Sequence, residues 1–222
     1  MMTKEKPILF STSMVRAILD GRKTQTRRTI KPQPKEGKHI AVTTGEKVDE
    51  EKQFGVMYHR KDTLVDFHKC PYGNPGDFLW VRESFYRAFA DTPNNYEVAY
   101  KADYGPDPSF STKTGWKPSI HMPKPVARIW LRIKKVLIEK AQSISPRDCI
   151  EEGIEPAGAY IANTDSYSLY RNYITGGATS EPTESFKTLW IEINGAESWK
   201  SKPWVWVVEF EILSTNGKPN YI

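Results

Sequence analysis

Cysteine is scarce in this chain. Cys70 and Cys149 are the two in 222 residues, too far apart for a paired-cysteine zinc motif and too few for a disulfide framework, so both are expected to be reduced thiols. Histidine is as sparse. His39, His59, His68 and His121 show no metal-ligand spacing, and His68 with Cys70 is a two-ligand fragment lacking a second pair, so neither a metal nor a cofactor is expected. No apolar run approaches the length that crosses a bilayer. The opening Met-Met-Thr-Lys-Glu-Lys-Pro lacks the apolar stretch and small-residue cleavage site of a secretory leader, which predicts a cytoplasmic chain. No internal repeat is visible, and oligomeric state is left open.

What is present fits one elaborated globular domain over residues 1–222: 38% hydrophobic and 27% charged residues with a mean hydropathy of −0.60. The net charge of +5 is compatible with a nucleic-acid partner without demanding one. Its distribution says more. Arg22, Lys23, Arg27, Arg28 and Lys31 crowd into ten residues, which makes a local anion site plausible.

Pro7–Phe10 predicts a short strand, and Ser11-Thr-Ser13 supplies capping hydroxyls for a helix bearing Met14, Val15, Ala17, Ile18 and Leu19. Gly21 stops that helix, so the basic octapeptide that follows starts from a fixed point. About 31–75 and 103–118, broken by Pro and Gly, are expected to be loop insertions. Phe78–Ser84 after the Asn74-Pro-Gly-Asp77 turn, Tyr96–Tyr100, Ala127–Glu139 and Trp204–Leu213 predict strands. Ser145-Pro146 opens a helix ending at Gly153. Tyr167–Tyr173 and Ser185–Ile193 are expected to be helical. In Ala127–Glu139, Arg128, Arg132 and Lys134 share a face, either as a solvated surface or as a nucleic-acid contact.

The octapeptide Gly21-Arg-Lys23-Thr-Gln-Thr26-Arg-Arg28 resembles the signature of the ASCH family, relatives of PUA domains. Pro75–Glu83, Trp116–Pro123, Ser145–Gly153 and Pro203–Val207 are similar to a phage-associated subgroup of it. The resemblance implies an α+β fold: a small closed PUA-like β-barrel with a helix across its mouth, a cleft between them for RNA or a nucleoside, and, for a phage protein, the host cytoplasm. One branch of the family is an amidohydrolase that removes the acetyl group from N4-acetylcytidine with lysine, threonine and glutamate. Carried over, that triad falls on Lys23, Thr26 and Glu152, with Glu151 as the alternative carboxylate. Threonine at 26, where most of the family has glutamate, points to that branch.

In amide hydrolysis Thr26 would be the nucleophile, Lys23 the base if burial and the neighbouring Arg22, Arg27 and Arg28 lower its pKa, and Glu152 the orienting or proton-donating group, with Arg28 or a backbone amide holding the oxyanion. A Lys23 that stays charged and paired with Glu152 would instead make a binding clamp for a phosphate or base edge. Trp80 would pack in the core or stack on a base at the rim, and Arg82 and Glu83 would line the cleft or meet each other. Three functions are therefore weighed: an N4-acylcytidine amidohydrolase, a non-catalytic RNA- or nucleotide-binding module, and a phage accessory protein whose insertions bind a host protein. A plain solvated basic loop is the alternative to all three.

Overall fold

A computed structural model describes residues 3–34, 39–44, 54–60, 63–89, 96–104, 115–162 and 165–220. The chain begins with β1 (Glu5–Leu9), α1 (Thr12–Leu19) and β2 (Gln25–Thr29). An antiparallel meander of β3 (His39–Thr44), β4 (Phe54–Arg60) and β5 (Thr63–Lys69) follows. Then come β6 (Phe78–Arg82), the hairpin of β7 (Phe85–Phe89) and β8 (Tyr96–Tyr100), and β9 (Trp130–Lys140). Next are α2 (Pro146–Glu151), β10 (Pro156–Ala162), β11 (Asp165–Arg171) and β12 (Ala178–Thr179). The last elements are α3 (Pro182–Asn194), α4 (Ala196–Lys200) and β13 (Trp204–Ser214).

The central sheet has five strands in the order β1-β6-β9-β13-β2, parallel between β1 and β6 and antiparallel elsewhere. Its order puts the first two strands of the chain at opposite edges, and α1 carries the chain from one to the other. Ser11 caps α1 by accepting from the Met14 amide, and Val15, Ala17 and Ile18 are wholly buried beneath it. The two edges meet through a side chain: Arg28 on β2 donates from Nη2 to the Leu9 carbonyl on β1 at 2.6 Å. Among the described residues no backbone pairing joins β1 to β2. The α+β class holds; among the described residues the five strands do not close into a barrel, and one guanidinium reaches between the two edges.

β13 separates two cores. Trp206, Val208 and Phe210 pack with Ile8, Leu79 and Ile129 on one face, while Val205 and Val207 meet Cys149, Phe186, Leu189 and Trp190 on the other. The alternation of a strand does this. The second core holds α2 and α3 against the sheet at roughly 1.5–3 kcal/mol for each fully buried large side chain. The site lies where these layers meet.

Two expectations need correction. The stretch 31–75 holds a three-stranded sheet rather than a loop. Tyr167–Tyr173 is not helical: its first residues are β11, paired with β10. The 103–118 stretch falls largely outside the described residues, though Lys117 forms a bridge to Phe85. The remaining predicted strands and helices lie within a few residues of their expected bounds.

Candidate functional site

The site begins at the end of α1. Gly21 takes the left-handed conformation at φ 72°, and the amides of Arg22 and Lys23 both turn back to the Ala17 carbonyl at 2.9 Å. The Thr24 amide then donates to the Glu151 carbonyl and the Thr24 carbonyl accepts from Phe210, so the chain is pinned to α2 and β13 before β2 starts. Lys23 is thereby driven inward. It is 0% exposed, and its Nζ donates to the Glu152 carbonyl at 2.7 Å and to Glu152 Oε2 at 2.9 Å.

Glu152 is presented by the other side of the same joint. α2 is held by a reciprocal capping box between Ser145 and Asp148, with Pro146 in its first turn, and Glu152 is its C-cap. Gly153 follows at φ 84°, where a Cβ would stand 2.8 Å from the Ala17 Cβ and 2.9 Å from the Lys23 Cβ. That close approach lets the end of α2 sit directly on the Lys23 stem. Glu151, the alternative carboxylate, turns outward to Arg147 at 2.9 Å. The buried partner of Lys23 is therefore Glu152.

Strand alternation divides β2. Gln25 and Arg27 reach α2: Gln25 donates to the Asp148 carbonyl and carboxylate at 3.0 Å, and Arg27 spans Glu152 Oε1 at 3.3 Å and Glu139 Oε2 at 3.0 Å, with Asp148 at 3.5 Å. Thr26 lies between them, 1% exposed, and lines the cleft described below. Arg28 crosses to Leu9, and Phe10 lies under both cations, 5.2 Å from the Arg28 guanidinium and 5.4 Å from Lys23 Nζ. The Nε atoms of Arg27 and Arg28 are buried without an acceptor.

Thr26, Arg27, Arg28 and Glu152 line one wall of a cleft whose opposite wall is α3, through Phe186, Leu189, Trp190 and Ile193. The chamber is narrow, about 60 Å³, room for a few water molecules. At Arg28, Thr29 and Asn194 it adjoins a second chamber of about 490 Å³ walled by Lys31, Lys69, Tyr72 and Trp206.

Burial pushes the Lys23 amine below the usual lysine range, against the pull of Glu152 and with the help of Arg28 and Arg27. With two protons directed at Glu152, the third tetrahedral position of Nζ decides whether the amine is charged. The Arg28 guanidinium is lowered too, by burial first, yet stays cationic.

The other expected site residues lie elsewhere. Arg22 ties Asp20 to the Gly153 and Ile154 carbonyls, bracing the joint from outside. Trp80 belongs to a small core with Ala127 and Trp130, and Arg82 lies over its ring and donates to the Ile120 carbonyl. Glu83 is 1% exposed and held in a two-pronged pair by Arg128. None of these three lines the cleft. The basic face expected over Ala127–Glu139 is largely neutralised, since Arg128, just before β9, is spent on Glu83 and Asp103, and Arg132 in β9 pairs with Glu211.

Sequence reasoning gave Arg27 only as a charge beside Lys23, and did not place Gln25, Asp148, Glu139 or the α3 wall at this site. Arg27 stood in the octapeptide, but its partners arrive from distant segments that carry no local signal. Among the described residues no group of His, Cys, Asp and Glu side chains is arranged to hold a metal ion, and no helix is long and apolar enough to cross a membrane. No family model matches this chain, and no curated protein or solved structure matches it either.

Proposed function

We propose that the protein is an ASCH-type amidohydrolase that removes the acyl group from N4-acylated cytosine nucleosides. The observation that carries this is one juxtaposition: Thr26 and Glu152 share the wall of a narrow cleft, with Lys23 wholly buried 2.9 Å behind the Glu152 carboxylate. A nucleophile thus stands beside a proton-accepting pair whose lysine is biased towards neutrality by burial.

The Thr26 oxygen attacks the acyl carbonyl and its proton passes to the Lys23–Glu152 pair, which acts as one unit. The negative oxygen of the tetrahedral intermediate is held by Arg28, which lines the same chamber. Cleavage of the carbon–nitrogen bond returns the proton to N4 and releases the cytosine amine, leaving an ester on Thr26. Water then attacks the ester, gives a proton to the pair, and frees the carboxylic acid as Thr26 is reprotonated. The apolar side chains of the α3 wall, Phe186, Leu189, Trp190 and Ile193, keep the chamber poor in water.

Incubation with N4-acetylcytidine and chromatographic detection of cytidine and acetate tests this. Wild type is expected to form both, and Thr26→Ala to form neither above background. Equal turnover by the two proteins, or none by wild type, overturns it. The 2.9 Å ion pair also supports a second reading, in which Lys23 stays charged and the same residues clamp a base edge without catalysis. Cytidine binding that depends on Glu152 but gives no product would favour that reading.

A further inference from the structure

The second chamber is not needed to hydrolyse a nucleoside, yet it opens from the first at Arg28. Its nine lining residues include Arg28, Lys31 and Lys69 and no carboxylate. Lys31 and Lys69 are exposed and have no acidic partner among the described residues. Arg28 differs from them in being half-buried. One of its donors is spent on Leu9, its Nε is buried without an acceptor, and no ion pair among the described residues neutralises it. A half-buried guanidinium with donors to spare suits an anion that presents several oxygens.

We infer that the chamber formed by Arg28, Lys31 and Lys69 is a phosphate subsite, so that the ligand of the cleft is a phosphorylated cytidine rather than the free nucleoside. Three cations facing one space of about 490 Å³ suit a doubly charged, multi-oxygen group better than a single carboxylate. Tyr72 and Trp206 give the chamber flat apolar walls and Asn194 gives it an amide, surroundings suited to a ribose between base and phosphate. Arg28 lines both chambers, so base and phosphate would lie on either side of one side chain. The assignment of the base to the inner chamber rests on the proposed function; the phosphate contact does not.

The phosphate can come from a nucleoside monophosphate or from a phosphodiester within RNA, and the chemistry of the subsite is common to both. Calorimetric titration of the full chain with cytidine, cytidine 5′-monophosphate, inorganic phosphate and a short oligocytidylate separates them. The expected result is that the monophosphate binds at least about tenfold tighter than cytidine at low salt, and that the preference falls towards one in Lys31→Ala/Lys69→Ala and as salt is raised. Tighter binding of the oligomer than of the monophosphate would identify the source as a phosphodiester, and the reverse as a monoester.

Equal affinity for cytidine and its monophosphate, or no binding of either monophosphate or inorganic phosphate, overturns the subsite. If N4-acetylcytidine is hydrolysed but phosphate adds no affinity, the subsite fails and the amidohydrolase stands. If phosphate adds affinity and no acylated substrate is hydrolysed, the reverse holds. Both lysines are at the surface, so the double variant tests binding rather than folding.

Discussion

Glu83 and Glu152 are both buried carboxylates met by basic side chains, 1% and 3% exposed, and they have opposite characters. Arg128 closes on Glu83 as a fork, Nε to Oε1 at 2.9 Å and Nη2 to Oε2 at 3.0 Å, gives its remaining nitrogen to Asp103 at 2.8 Å, and lays its face 4.0 Å from the Tyr100 ring centre. Each of its nitrogens is engaged. Burial pushes the Glu83 carboxyl up while Arg128 draws it down, and the arginine has no proton it can lose. Glu152 is instead divided between Lys23 and Arg27, beside Thr26 and two guanidinium Nε atoms that have no acceptor. The first pair fixes the segment before β9 to the segment after β6. The second has an exchangeable proton and an open wall.

Breaking the Lys23 pair should have the largest effect on catalysis. Lys23→Met is expected to lower kcat/KM for N4-acetylcytidine by about 10²–10⁴-fold, the usual worth of a positioned proton acceptor. Lys23→Arg should not rescue it, because an arginine keeps the charge but cannot give up its proton. Steady-state kinetics on both variants checks this, and an active Lys23→Arg would show that charge alone is what the site uses.

At the other carboxylate the sign of the comparison reverses. Glu83→Ala leaves Arg128 half-buried against Tyr100 with Asp103 as its remaining acid, and should cost about 1–3 kcal/mol of stability in urea unfolding. Its kcat/KM at a temperature where it remains folded should match wild type, since Glu83 does not line the cleft. A large catalytic loss without loss of stability would restore Glu83 as a site residue.

The two carboxylates also differ in how far the sequence exposes their roles. Where a signal is local, it is legible: the serine caps of α1 and α2, the period-two pattern of β9 and β13, and the apolar spacing of α3 all lie where the residues predict. Ser166 to Tyr170 was legible in principle, since serine alternates there with Tyr167 and Leu169, but a strand needs its partner, and β10 supplies it. The meander at 39–69 was obscured by glycines and charges that also suit loops. Resemblance identified Lys23, Thr26 and Glu152, and folding brings Lys23 to Glu152 and leaves Thr26 and Glu152 on one wall. It could not show that Lys23 stands behind Glu152 rather than at the surface of the cleft, nor that Arg27 reaches Glu139 across 112 positions. Such contacts depend on which strands become neighbours, and no periodicity records that.

The joint itself gives a smaller effect with a mixed signature. Gly153→Ala places a methyl within 3 Å of the Ala17 and Lys23 stems and forces a side chain into a left-handed backbone. The expected cost is about 1–3 kcal/mol, together with a several-fold loss of kcat as Glu152 is moved away from Thr26. Wild-type kinetics in a destabilised Gly153→Ala would show that the pair tolerates displacement, which a proton-transfer unit should not.

The smallest effect, and the sharpest test of what distinguishes the two pairs, is a dependence of stability on pH. Lys23 titrates below its ordinary value in the folded protein, so between that lowered value and about 10.4 the unfolded chain binds more protons than the native one. Stability contributed through this group therefore rises with pH across that window, by at most about 1.4 kcal/mol per pH unit, and is flat below it, where both states are protonated. Measured as the difference in unfolding free energy between wild type and Lys23→Met, the common titration of other groups cancels and wild type should gain on the variant as pH rises. The corresponding difference for Arg128→Met should be flat over the same range, because arginine stays protonated in both states. A flat line for Lys23 as well would mean that its pairing with Glu152 offsets burial in full, and would move the site from proton transfer to clamp.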